Sequence, residues 1–120
     1  MARTKAQRPP QAAAEAAVAR LREMSADLRG CALLDSDGQA LATTGDTGRW
    51  GEAGAALLAA ADAAGGERAG HVHVGTEDGE AFAVRHGELA MVAVADRFTL
   101  ASLMIFDMRA VLRDLAKEAG

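Results

Sequence analysis

Tyrosine is absent from the 120 residues, aromatics make up 3% of them, and a single cysteine is present. With only Trp50, Phe82, Phe98 and Phe106 as aromatic rings, the core has to be built from Leu, Val, Met and an unusual share of Ala, which demands closely packed elements. Cys31 has no partner for an internal disulfide, and no apolar run approaches the roughly 20 residues needed to span a bilayer. A cytoplasmic, reducing location is therefore expected. An excess of basic residues is also missing: the formal net charge is -4, the wrong sign for a chain that neutralises nucleic-acid phosphates. A length of 120 residues, half of them hydrophobic, suits one compact domain. Residues 1–10 carry Arg3, Lys5 and Arg8 without acids and read as a disordered N-terminal arm, leaving 11–118 as the folded unit.

Along residues 11–28, Ala14, Ala17, Val18, Leu21, Met24 and Leu28 recur at three- and four-residue steps, the pattern of an amphipathic helix. Gly30 is expected to end it. Cys31-Ala32-Leu33-Leu34 is a short apolar run, as in a strand covered on both faces, and Asp35-Ser36-Asp37-Gly38 has the chemistry of a tight hairpin turn. The partner strand, 39–44, mixes polar and small residues and suits an edge. Between residues 49 and 64 the chain is nearly all helix-forming alanine and leucine. Trp50, Gly54, Leu57, Leu58 and Ala61 share the wheel side expected to face a sheet, while Glu52, Ala55, Ala56, Ala59 and Ala63 form a flat stripe opposite. Strands at 71–74, 81–84 and 89–95 follow as a meander; the first alternates, like an edge, and the last is continuously apolar, like a central strand. Thr99 is the expected N-cap of a final helix whose apolar face reads Leu100, Leu103, Met104, Val111, Leu112 and Leu115.

Candidate chemistry is sparse. Gly45, Gly48, Gly51 and Gly54 recur at three-residue steps, yet no Gly-x-x-x-x-Gly-Lys-Ser/Thr motif is present, which excludes a P-loop nucleotidase on motif grounds. His71 and His73 share one strand face, a spacing that could hold a metal together with Glu77, Asp78 or His86. No third ligand is fixed, and histidines packed at a subunit contact are the preferred reading. Cys31, in an apolar run with no base nearby in sequence, reads as an inert buried thiol. Asp35 and Asp37 are explained by their turn. No catalytic residue, metal or cofactor is assigned, and the chain is not expected to be an enzyme. Trp50 either caps the core or stands out as a binding anchor; Arg109, Arg113 and Lys117 form a basic i, i+4, i+8 stripe, either solvated or a docking surface.

The segment LREMSADLRGCALLDSDGQALATTG, the alanine- and leucine-rich helix, and HVHVGTEDGEAFAVRHGELAMVAVAD followed by a helix together resemble the roadblock/LC7 family, in particular its single-domain bacterial members that work with Ras-like GTPases. Members of that family often have a glycine soon after the last strand, where this chain has Asp96-Arg97-Phe98-Thr99-Leu100. The resemblance implies an α+β fold, α-β-β-α-β-β-β-α, with a five-stranded antiparallel sheet ordered 2-1-5-4-3. The middle helix would cover one face and the terminal helices the other. It further implies a homodimer, joined through the third strand (His71, Val72, His73, Val74) and the middle helix (Glu52, Ala55, Ala56, Ala59, Ala63). Such a dimer would be a non-catalytic platform that binds a Ras-like small GTPase and regulates or positions it; on their residue types alone, Trp50, Arg109 and Arg113 are the candidate partner surface. A profilin-like small-molecule sensor is the alternative and requires an apolar pocket of about 300 Å³ or more; a structural adaptor is a further one.

Overall fold

The computed structural model describes residues 9–65 and 70–119. Helix α1 (Gln11–Met24) leads into a hairpin of β1 (Leu28–Leu34) and β2 (Ala40–Gly45). Helix α2 (Trp50–Gly65), the meander β3 (His71–Gly75), β4 (Glu80–His86), β5 (Leu89–Ala95), and helix α3 (Ala101–Ala119) complete the order. The five strands form one antiparallel sheet ordered β2-β1-β5-β4-β3, as the resemblance implied.

Alternation along the strands divides the core in two. Cys31, Leu33, Phe82, Val84, Met91 and Ala93 point to the face covered by α1 and α3, where they meet Val18, Leu21, Met104, Met108 and Leu112. Ala32, Leu34, Ala83, Ala90 and Val92 point the other way, under Leu58 and the half-buried Ala55 of α2. Helix α2 approaches so closely that a β-carbon at Gly54 would collide with the Val92 side chain. An ion pair from Arg85 Nη1 to Asp62 Oδ1, 2.9 Å, ties the helix to β4.

The β1–β2 turn uses the expected chemistry. Asp35 Oδ1 accepts the Asp37 and Gln39 amides, each at 2.9 Å, and Gly38 takes a φ of +81°, a region an L side chain rarely enters.

Three local expectations change. Helix α1 stops at Met24, with Ser25 in extended conformation, and β1 begins at Leu28, which pairs with Ala95. Gly30 consequently lies inside the strand, not at a helix end: it pairs with Gly45, and a β-carbon there would strike the Asp46 backbone. Helical spacing at Leu28 was satisfied by a strand residue that happens to fall in phase, because one residue cannot separate the two periods. Thr99 does not cap α3. Its hydroxyl donates back to the Asp96 carbonyl at 2.6 Å, and Leu100 provides the first helical acceptor, taking the Met104 amide at 3.1 Å. Leu100 and Leu103 also leave the core face, at 64% and 55% exposure, while Met108 fills the place between Met104 and Leu112.

Candidate dimer and partner surfaces

Strand β3 ends the sheet, so one side of its backbone is paired with β4 and the other is open. Its side chains divide as the alternation predicts. Val72 and Val74 are half-buried, Val72 against the α2-side core, whereas His71 and His73 lie on the α3 side. His73 stacks on the Phe82 ring, with centroids 4.6 Å apart and planes 5° from parallel, and its Nε2 meets Glu80 Oε1 at 2.6 Å. His71 Nδ1 accepts from Arg109 Nη2 at 2.9 Å. Each imidazole therefore has its own protein partner. Among the described residues no group of three or more His, Cys, Asp or Glu side chains converges on a point where a metal would sit.

On α2, Ala56, Ala59 and Ala63 are exposed as expected. Ala60 and Ala64 widen the stripe, a feature missed on the helical wheel. Ala55 departs from it, turning toward Leu58 and the small core beneath. The side chains of Trp50 and Glu52 lie outside the described residues. Helix α2 contacts β3, so the open edge and the helix that bears the exposed alanines meet at one corner of the molecule.

The expected partner residues do not come together. Arg109 and Arg113 are exposed on α3, across the sheet from the helix that Trp50 begins, although Arg109 reaches the β3 edge through His71.

Cys31 is fully buried on the α1–α3 side, and its thiol donates to the Val18 carbonyl at 3.7 Å. Burial pushes the thiol up to about 12, against a smaller opposing pull from Arg22, so it stays protonated and unreactive. An open cleft of about 330 Å³ lies where the β1–β2 turn meets α2, but Asp35, Arg85 and Glu88 share its lining with Leu34, Leu58 and Ala59. That is not the enclosed apolar site a sensor needs.

Sequence patterning did not point to Phe98. In the turn before α3 it adopts a φ of +66°, the one non-glycine residue among those described in the left-handed region. Its ring is 86% exposed, with the Arg97 guanidinium 4.7 Å above it. The stretch after β5 lacks a glycine, and a phenylalanine takes a conformation that favours one.

The backbone compares closely with a roadblock/LC7 domain from Streptomyces avermitilis. The TM-score is 0.77, over 86% of this chain and 94% of that one, at 15% identity. The chain has the roadblock/LC7 fold. Two further neighbours share this shape. The gliding protein mglB of Thermus thermophilus superposes with a TM-score of 0.75 at 20% identity, covering 92% of this chain and 90% of that one. MglB of Myxococcus xanthus gives 0.74 at 19% identity, covering 89% and 87%. No family model and no curated protein matches the sequence, so these comparisons rest on shape.

Proposed function

We propose that residues 11–118 form a roadblock/LC7 unit that homodimerises in the cytoplasm and serves as a non-catalytic platform for a Ras-like small GTPase. The observation that carries this reading is the corner where the open β3 edge lies beside the alanine face of α2. An unpaired edge exposes backbone donors and acceptors that a second β3 satisfies, making one continuous sheet across a twofold axis. Side chains that end at the β-carbon let two α2 helices approach closely over that junction. The roadblock/LC7 shape, together with the sequence resemblance to the bacterial members, supports the choice of a GTPase as partner.

Static light scattering on the full chain tests the first half, with Ala59→Arg as the disrupting variant. A dimer that the variant converts to a folded monomer is the expected result; a wild-type monomer at micromolar concentration refutes the interface. The second half is tested by titrating the dimer with the Ras-like GTPases of the same organism, loaded with GDP or with a non-hydrolysable GTP analogue. Nucleotide-dependent binding is expected, and absence of binding in both states rules out the platform.

A further inference from the structure

The large hydrophobic side chains that the described residues expose are Met24, Phe98, Leu100, Leu103 and Phe106. Four of these fall within nine consecutive residues, spanning the turn after β5 and the first turns of α3. Scattered apolar residues on a surface are ordinary, but a contiguous group of this size marks a contact site.

The turn that presents Phe98 is braced from three directions. The Asp96 amide donates to the Asp27 carbonyl at 3.0 Å, its carboxylate receives Arg29 Nε at 2.8 Å, and its carbonyl accepts the Thr99 hydroxyl at 2.6 Å. A bulky residue persists in the left-handed region only when its surroundings fix it there, and this bracing does so. The strain holds an aromatic ring out in water, where it gains no burial within the chain.

Charge continues the patch. The exposed residues described on the outer ridge of α3 are Ser102, Leu103, Phe106, Arg109, Arg113 and Lys117, and the half-exposed Asp114 beside them is paired with Arg20 at 2.7 Å. With Arg97 in the turn, an apolar end and a basic end share one helix face of a chain whose formal net charge is -4. None of the four apolar side chains lines any of the described clefts. Phe98 and Leu100 lie in the turn, and Leu103 and Phe106 continue the group along α3.

We propose that the Arg97–Leu100 turn and the outer ridge of α3 dock on an anionic lipid surface. Phe98, Leu100, Leu103 and Phe106 enter the headgroup–acyl boundary, and Arg97, Arg113 and Lys117 meet lipid phosphates. A lipid surface takes up projecting apolar groups without needing a shaped pocket, and its negative potential selects the cations beside them. This surface lies across the sheet from the alanine face of α2, so lipid docking leaves that face free.

Sedimentation of the full chain with sucrose-loaded vesicles tests the idea. Vesicles of 30% phosphatidylserine in phosphatidylcholine should pellet the wild type, while pure phosphatidylcholine should leave most of it in solution. The double variant Phe98→Ser/Phe106→Ser should partition about tenfold less. Arg113→Glu/Lys117→Glu should lose a similar factor, and 0.5 M salt should weaken the wild type likewise. Phe98→Gly separates docking from folding, because it relieves the left-handed strain and should bind vesicles less while melting higher. Wild type left in the supernatant with phosphatidylserine vesicles overturns the proposal. So does equal pelleting of the serine double variant. If that double variant instead changes the mass seen by light scattering while vesicles bind neither protein, the patch is a protein contact and the lipid assignment fails.

Discussion

The two faces of the sheet are packed on different principles. On the α1–α3 face, Phe82, Met91, Met104, Met108 and Leu112 are fully buried between the strands and two helices. On the α2 face a single helix covers Ala32, Leu34, Ala83, Ala90 and Val92, with Leu58 as the one buried large side chain among those described on it. The first face is thick and complete within the chain. The second gains cohesion from close approach, with Gly54 directly on Val92, and leaves its outer alanines uncovered. A domain stabilised mainly from one side can offer the other to a second copy.

Matched truncations give the largest test of that asymmetry. Leu112→Ala, at a site of 0% exposure between two helices, should cost about 3–4 kcal/mol, because the surrounding layer cannot collapse into the cavity. Leu58→Ala should cost about 2 kcal/mol, since α2 can settle toward the sheet. Urea denaturation at one fixed protein concentration compares them. A Leu58 cost equal to the Leu112 cost would mean that the α2 face is as deeply packed as the other, and the contrast would disappear.

A smaller effect with a diagnostic sign comes from Gly54→Ala. Inside a helix this replacement normally stabilises by about 0.5–1 kcal/mol. Here the new methyl meets Val92, and overpacking should reverse the sign to a loss of about 1–2 kcal/mol. Trimming the obstacle in Gly54→Ala/Val92→Ala should recover part of what the single change loses, and the cycle of four proteins measures that coupling. Additive costs would show that α2 does not ride on Val92.

Much of this asymmetry was legible in the sequence. Continuous apolar runs at 31–34 and 89–95 identified the central strands, and the alternation of His71-Val72-His73-Val74 identified the edge, because burial on one or both faces leaves its mark in the period. The wheel showed Ala56, Ala59 and Ala63 of the α2 stripe but missed Ala60 and Ala64 and misplaced Ala55, whose inward turn depends on how the helix rolls against the β1–β2 turn. The start of α3 was misread for a related reason. Leu100 and Leu103 fit a helical apolar face, but the axis of α3 is set by Met104, Met108 and Leu112, and wheel position alone does not say which of two apolar arcs meets the sheet. The exposed patch at Phe98 was hidden because backbone φ and tertiary bracing are properties of the fold and not of local spacing.

The thick face also makes a prediction through its one titratable thiol. Cys31 lies under α1 with no exposed surface, and burial holds it up at about 12, well above the 9.0 of a free thiol. The folded chain keeps the proton that the unfolded chain gives up, so this contribution to stability is whole below pH 9 and is lost as pH rises from 9 toward 12. The wild type should therefore lose thermal stability between pH 8 and pH 10 by more than Cys31→Ala does, the difference approaching about tenfold in the folding equilibrium constant. Iodoacetamide at pH 8.5 offers an independent readout. Mass spectrometry should find the native thiol unmodified after a time that fully alkylates the urea-unfolded chain, since thiolate is the reacting form and helix α1 bars access to it. Rapid labelling of the native chain would show that water reaches Cys31, and the α1–α3 face would then be no more sealed than the one beneath α2.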